Sequence, residues 1–166
     1  MNIETNLEVI AAKSVENIVE NDNFIAHLKQ LNTQEIDAAV FELNKVIEPQ
    51  IDCTTCGNCC KTLMINVEEN EANNAAKYLS ISREKFDEQF IEKSLSGKML
   101  ISKMPCHFLS QNKCRIYESR FAGCKEFPAL YLPQIQKRLF TVFMHYDRCP
   151  IIFNVMEALK IKVGFK

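Results

Sequence analysis

Cysteines are the residues of this sequence with the clearest chemical potential, and four of the eight lie together. The run Cys-Thr-Thr-Cys-Gly-Asn-Cys-Cys contains Cys53, Cys56, Cys59 and Cys60. A Cys-x-x-Cys spacing lets two thiolates reach one metal ion from a single tight turn, and here that spacing occurs twice in overlap. The run therefore predicts the beginning of a thiolate metal site.

The other four cysteines lie in separate parts of the chain, and we expect them to fold back and complete the site. They are Cys106, Cys114, Cys124 and Cys149. Because the adjacent side chains of Cys59 and Cys60 diverge, they serve two neighbouring centres more easily than one ion. Eight thiolates are enough for two four-ligand centres, and the sequence does not select how they divide.

A set of disulfides is the competing interpretation of an even cysteine count. The N-terminal segment is acidic and polar and lacks the basic start and apolar run of a secretory signal, so a cytoplasmic location is expected. Stable disulfides are uncommon in a reducing cytosol, and a bridge between Cys59 and Cys60 would close a strained ring. Metal binding is therefore favoured over disulfide formation.

The cysteine spacing does not decide which metal is bound. Zinc takes four thiolates and would form a closed structural site. An iron–sulfur cluster takes the same ligands, and Cys53, Cys56 and Cys59 have the spacing with which the bacterial ferredoxin run begins. That run continues with three residues and Cys-Pro, whereas here another cysteine follows at once. Zinc and an iron–sulfur cluster both remain open, in one centre or in two.

Basic residues adjoin most of the cysteine segments. They would lower the pKa of neighbouring thiols and offset the negative charge of a thiolate centre, or they are ordinary solvated side chains. These residues are Lys61, Lys113, Arg115, Lys125 and Arg148.

Two histidines lie close enough in sequence to a cysteine to replace it as a ligand. His107 adjoins Cys106, and His145 lies four residues before Cys149, on the same face if one helix spans both. A lone histidine is more often packed or solvated than metal-bound. His27 has no cysteine near it in sequence.

Apolar residues at helical spacing predict three helices in residues 1–49. Thr5 and Glu8 form a candidate capping box for the first helix, and Thr33 is a candidate N-cap for the third. Pro49 ends the third helix. These helices make an N-terminal helical layer whose apolar faces pack into a core or bind a partner helix.

Residues 50–150 form the predicted cysteine-cluster metal-binding domain. Loop turns are expected around Gly57, a polar-faced helix from Glu68 to Leu79, and another helix capped by Ser82. Short strands are expected at 99–101, 106–109 and 113–117, with a turn at 110–112.

The last part of the chain is predicted to be helical. Apolar residues between 135 and 146 have helical spacing, and Pro150 suits the first position of a final helix. The predicted fold class is mainly α with a small irregular α+β cysteine-rich metal-binding lobe. The C-terminal helix, in residues 151–166, is expected to pack on this lobe in one compact unit.

The amino-acid composition limits the classes of molecule that the chain is expected to bind. The chain has 166 residues, 47% of them hydrophobic, which suits a globular domain. A net charge of -1 gives no general attraction to nucleic acid or membranes, and no apolar run reaches the roughly 20 residues that span a bilayer. A metal ion is the partner that the sequence predicts, and any protein partner stays unidentified.

No catalytic constellation is found apart from the cysteines. The sequence has neither a glycine-rich phosphate loop nor a His-Glu-x-x-His motif. Thiol–disulfide exchange by Cys53 and Cys56 lacks the βαβ pattern of a thioredoxin-like protein. The sequence therefore does not predict an enzyme.

Four motifs in order over residues 50–150 resemble the bacterial cysteine cluster family, also called the YkgJ-like family or the zinc- or iron-chelating CxxCxxCC domain. They are Cys53-x-x-Cys56-x-x-Cys59-Cys60, Pro105-Cys-His-Phe-Leu109, Cys114-Arg-Ile-Tyr-Glu-Ser-Arg120 and Cys124-Lys-Glu-Phe-Pro128. The resemblance implies that all eight cysteines are metal ligands. The chain departs from the family at Phe121, where proline is usual, which is expected to loosen a turn near Cys124.

Two functions follow from the residues and the resemblance together. The first is a cytosolic metal-binding protein that holds zinc or an iron–sulfur centre in a structural or metal-handling role. The alternative is an iron–sulfur redox protein or a component of a protein-modifying enzyme, because a related cysteine cluster occurs in flagellin lysine methylases.

Overall fold

The computed structural model describes residues 2–166, and its contacts divide the chain into two compact units. The cysteine unit is Cys53–Phe127. The helical unit comprises Pro128–Lys166 and the residues that precede the cysteine unit, up to Asp52. Residues 128–150 thus group with the N-terminal helices, while the predicted boundaries at residues 49 and 150 stay a prediction.

Helices dominate both units and make up 58% of the structure. The predicted mainly-α class with a small strand content is therefore confirmed. In chain order the helices are α1 (Leu7–Glu16), α2 (Ile18–Leu28), α3 (Thr33–Ile47), α4 (Cys53–Cys56), α5 (Cys59–Thr62), α6 (Glu69–Tyr78), α7 (Arg83–Phe90), α8 (Ala122–Glu126), α9 (Leu139–Met144) and α10 (Pro150–Lys162).

Five short strands lie in the cysteine unit. They are β1 (Ile65–Asn66), β2 (Glu92–Lys93), β3 (Met99–Ile101), β4 (Leu109–Ser110) and β5 (Lys113–Cys114). The first three form an antiparallel sheet with β3 in the centre, and β4 and β5 form an antiparallel hairpin.

The helical unit is built around α10. Ten of the 13 residues of this helix are buried, as expected for a helix that is apolar on most of its faces. Pro150 occupies its first turn, as predicted. The Asn154 side chain inside it is satisfied, because it donates to the carbonyl oxygens of Glu4 (2.8 Å) and Pro150 (2.7 Å).

Long-range contacts join the two segments of the helical unit. The Asp37 carboxylate on α3 accepts the backbone N–H groups of Gln134 (2.6 Å) and Ile135 (2.9 Å). The Lys160 ammonium on α10 lies 2.9 Å from a carboxylate oxygen of Glu20 on α2. These contacts fix the C-terminal segment against the N-terminal helices.

Two predicted helix caps are wrong by one residue. Asn6 caps α1, where its side chain accepts the N–H groups of Glu8 and Val9, so Thr5 is not the cap. Asn32 caps α3 in the same way, in place of Thr33. In both cases an asparagine, which is at least as good a cap as threonine, stands directly beside the predicted residue.

The core of the cysteine unit is aromatic. Phe86 on α7 stacks on Phe108 at 6.3 Å between ring centroids, and Phe108 packs against Phe121 at 6.1 Å. Phe121 has φ of -65°, a backbone angle that proline also adopts, and its side chain is buried in this core, while the expected loosening of the turn stays a prediction.

The run from Cys53 to Cys60 differs from the expected loop turns. It forms two single-turn helices, α4 and α5, separated by Gly57 with φ of +58°. The glycine does make the predicted break, since its left-handed conformation is unfavourable for other residues. Within residues 2–166 no helix is both long and apolar enough to cross a membrane.

Candidate metal centre

The α4–α5 segment is held against the β4–β5 hairpin by a close backbone approach. A Cβ atom on Gly57 would lie 3.1 Å from the carbonyl oxygen of Asn112 in the hairpin turn. Only glycine fits both this spacing and the positive φ. The position of Cys114 on β5 relative to the cysteine run therefore depends on Gly57.

Cys106 is tied to the cysteine run directly. Its backbone N–H donates to the Cys60 carbonyl oxygen at 2.8 Å. Burial raises the pKa of its thiol above the ordinary value, against the smaller lowering effect of the backbone N–H groups of Phe108 and Leu109. Amides aimed at sulfur favour the thiolate, which is the metal-binding form.

Cys114 is positioned by the hairpin. It pairs with Leu109 in the antiparallel register. Burial raises the pKa of its thiol, against the smaller lowering effect of the backbone N–H of Ile116. Gln111 and Asn112 in the turn both have positive φ, as in a type I′ turn. Hairpin register thus places Cys114 beside the segment that carries Cys106.

Cys124 lies on α8 against the aromatic core. Burial, followed by the thiols of Cys60, Cys106 and Cys114, raises its pKa to about 12. The Cys60 pKa is also raised, first by a hydrogen bond with the Cys59 thiol and then by burial. These mutual effects place five cysteines, Cys59, Cys60, Cys106, Cys114 and Cys124, in one electrostatic neighbourhood.

The Arg120 guanidinium is a positively charged group that acts on several of these thiols. It lowers the pKa of Cys60, Cys114 and Cys124 against the larger effect of burial. Of the basic residues adjoining cysteines in sequence, Lys61 acts on Cys60 and Arg115 on Cys114 in the same direction. Arg120 does not adjoin a cysteine, so its role was missed by sequence reasoning, and the spacing carries no signal for it.

The remaining predicted ligands differ in their surroundings. Cys53 is exposed and Cys56 is half-buried at the two ends of α4. Cys149 belongs to the helical unit, where it is 6% exposed, precedes α10 and donates its N–H to the His145 carbonyl oxygen (3.0 Å).

The two candidate histidines have different settings. His145 follows the end of α9, so it does not share a helical face with Cys149 as expected. Burial is the main cause that lowers its pKa. His107 in the cysteine unit packs edge-on against Phe90 at 5.2 Å, and burial lowers its pKa too. His27 in the helical unit packs against Phe165 at 5.4 Å.

The cysteines described here are thiols, and no disulfide joins any of them within residues 2–166. In the same residues, no group of three or more histidine, cysteine, aspartate or glutamate side chains is positioned to hold a metal ion. The ligand set therefore stays a prediction. The chemistry of the donors does fit zinc or iron, since soft thiolates bind both.

Comparison with known proteins gives one match. A family model described as CxxCxxCC, putative zinc- or iron-chelating domain, matches residues 52–149, which is more than half of the chain. No curated protein and no solved structure matches the sequence.

Proposed function

This chain belongs to the CxxCxxCC family, a putative zinc- or iron-chelating domain, and we propose that its cysteine unit binds zinc or iron through cysteine thiolates. The bound metal holds together a unit that has short strands and a small core. The role is structural or one of metal handling in the cytoplasm.

One observation carries the proposal. Cys60, Cys106, Cys114 and Cys124 come from four separate motifs of the sequence, and each thiol interacts electrostatically with the others. Thiols gathered in one partly buried place repel one another when ionised, and a cation removes that penalty. Backbone N–H groups near Cys106 and Cys114 lower the pKa of these two thiols and so favour the same charge state, against the larger effect of burial.

The proposed ligands are all eight cysteines, in one centre or two. Four of them, Cys60, Cys106, Cys114 and Cys124, form the nucleus, and Cys53, Cys56 and Cys59 from the adjoining run join them. Each sulfur moves by rotation about a single side-chain bond, which is how the thiols would reach an ion. Cys149 is proposed as the eighth ligand on the family pattern.

The alternative function is that of an iron–sulfur redox protein or a component of a protein-modifying enzyme. The Cys53, Cys56 and Cys59 spacing favours it, because the bacterial ferredoxin run begins in this way. Redox activity would require iron with inorganic sulfide, whereas zinc has no redox chemistry.

Anaerobic purification followed by metal and sulfide analysis and an absorption spectrum tests the proposal. A colourless protein with stoichiometric zinc supports the structural or metal-handling role. Iron with sulfide and broad visible absorption supports the alternative. A protein that purifies without either metal, and takes up neither under anaerobic conditions, would contradict both.

A further inference from the structure

A charged cleft of about 480 Å³ lies on the cysteine unit beside the proposed centre. One wall comes from α6, between Glu71 and Tyr78, and the other from residues 118–125. Its volume is in the range of sites that take small molecules. None of the eight cysteines lines it, so the cleft is separate from the proposed metal ligands.

Three cations line this cleft: Lys77, Arg120 and Lys125. Within residues 2–166 none of them forms an ion pair. Arg83 in the same unit is different, because it is paired with carboxylate oxygens of Glu69 (2.6 Å) and Asp87 (2.9 Å). Lys77 and Lys125 are therefore available to an external partner, and Arg120, which also lowers the pKa of Cys60, Cys114 and Cys124, lines the same cleft without a carboxylate partner among the described residues.

Two carboxylates also line the cleft, but one of them is already engaged. Glu71 accepts the backbone N–H of Glu68 (2.9 Å) with one oxygen and that of Ala122 (2.5 Å) with the other. These bonds direct both of its oxygens at the backbone and join α6 to α8, while its negative charge stays in place. Glu118 is the second carboxylate, so the three cations outnumber the two carboxylates in the lining.

Arg120 is held in a fixed orientation. Its guanidinium carbon lies 3.9 Å from the centre of the Tyr117 ring. Stacking of this kind keeps the planar guanidinium in place while its edge N–H groups remain able to bind an oxyanion in pairs. The Ser119 hydroxyl in the same wall adds a neutral donor.

We propose that this cleft binds a small multivalent oxyanion, a phosphate or a polycarboxylate, between Lys77 on α6 and Arg120 and Lys125 on the opposite wall. Two lysines and a stacked arginine match the charge and the geometry of such an ion. The site goes beyond the metal-binding function, and its occupancy does not depend on which metal the thiolates hold.

Calorimetric titration of the full-length, metal-loaded protein at low ionic strength tests this proposal. One arm uses inorganic phosphate, and the other uses propane-1,2,3-tricarboxylate, which lacks the hydroxyl group that makes citrate a strong chelator. Binding is expected in at least one arm, and the stronger arm identifies the class of oxyanion. Added neutral salt is expected to weaken binding, because the cleft is open to solvent.

Lys77→Gln is the test variant and Lys85→Gln the matched control. Both lysines are exposed on helices of the cysteine unit, but Lys85 on α7 does not line the cleft. Lys77→Gln is expected to weaken oxyanion binding about 2- to 5-fold, as for an exposed charge pair. Lys85→Gln is expected to leave the affinity unchanged.

The metal content of each variant is measured alongside, so failure of the oxyanion site and failure of the metal centre are distinguishable. Absence of binding in both arms up to about 10 mM would overturn the proposal. An equal loss of affinity in Lys85→Gln would also overturn the proposal, because it would show that the affinity depends on the net charge of the protein and not on a cation in the cleft.

Discussion

The sulfur atoms of the cysteine unit are supported by different neighbours. Burial raises the pKa of Cys106 and Cys114, and nearby backbone N–H groups lower it by less. The Cys60 pKa is raised first by a hydrogen bond with Cys59, and the Cys124 pKa by burial and then by the thiols of Cys60, Cys106 and Cys114. Cys106 and Cys114 are thus the positions where backbone groups partly offset the effect of burial.

Cys114→Ser is expected to lower metal affinity by more than about tenfold, because a hydroxyl is a poor substitute for a soft thiolate. Metal analysis of protein dialysed against a competing chelator measures the effect. The fold of the apo-protein is expected to persist, since serine is close in size to cysteine and Cys114 packs only at the edge of the core that contains Phe108.

Met64→Leu is the control for that variant. Met64 is a sulfur-containing residue of the same unit, 65% exposed, and it is not a proposed ligand. Its replacement is expected to leave metal content unchanged. If Cys114→Ser retains metal as well as Met64→Leu does, Cys114 is not a ligand.

Gly57→Ala is expected to destabilise the cysteine unit by about 2 kcal/mol. The positive φ alone costs about 1 kcal/mol for a residue other than glycine, and the new Cβ would also press against the Asn112 carbonyl oxygen at 3.1 Å. Urea unfolding followed by circular dichroism measures the change.

Gly97→Ala separates the two causes. Gly97 has φ of +79°, but a Cβ there meets nothing within 4 Å, so only the conformational cost of about 1 kcal/mol is expected. Equal destabilisation by the two substitutions would show that the approach of the cysteine run to the hairpin contributes nothing.

At the scale of elements, the first turns of the helices are stabilised by one or two side-chain hydrogen bonds. The Asn6 side chain binds the N–H groups of Glu8 (2.9 Å) and Val9 (3.3 Å) at the start of α1. The Ser82 side chain caps α7 as predicted, by accepting the N–H of Lys85 at 3.2 Å. These bonds satisfy backbone donors that the helix itself leaves unpaired.

Asn6→Ala is expected to lower the free energy of unfolding of the helical unit by about 1 kcal/mol, the usual value of a lost N-cap. The neighbouring substitution Thr5→Ala is expected to change it by less than about 0.5 kcal/mol, because Thr5 is exposed and does not cap the helix. Thermal unfolding of both variants checks this. A larger effect of Thr5→Ala than of Asn6→Ala would show that Thr5, with Glu8, caps α1 as the sequence predicted.

At the scale of the whole molecule, the two units have different sources of stability. The helical unit contains α10, which is buried along most of its length. The cysteine unit has strands of two or three residues, a core centred on a few phenylalanines, and seven of the eight cysteines. A small core of this kind gains stability from a metal more than a larger one does.

Metal removal is therefore expected to act mainly on the cysteine unit, because seven of the eight proposed ligands belong to it. Hydrogen exchange of amides in Cys53–Phe127 should accelerate by about tenfold or more in the apo-protein, because metal binding and folding are coupled. Amides of α10 should keep their protection. Segment-resolved mass spectrometry of holo- and apo-protein makes the comparison, and unchanged exchange in the cysteine unit would argue against a stabilising metal.

Local patterns in the sequence were enough to predict several elements. Helix α6, the Ser82 cap, Pro150 at the start of α10, strand β3 and the turn at 110–112 all appear in the structure. Each depends on periodicity, capping or turn chemistry within a few residues, which the sequence records directly. The family was recognised for the same reason, since its motifs are short and ordered.

Other features depended on contacts between distant residues. The sequence by itself determined that this chain carries thiolate donors in the CxxCxxCC pattern. Only the tertiary structure decided that Arg120 lowers the pKa of Cys60, Cys114 and Cys124 together. In the helical unit, it alone decided that the Asp37 carboxylate accepts the backbone N–H groups of residues 134 and 135. The physical reason is that periodicity reports which face of an element is buried, whereas long-range packing decides which residues meet there.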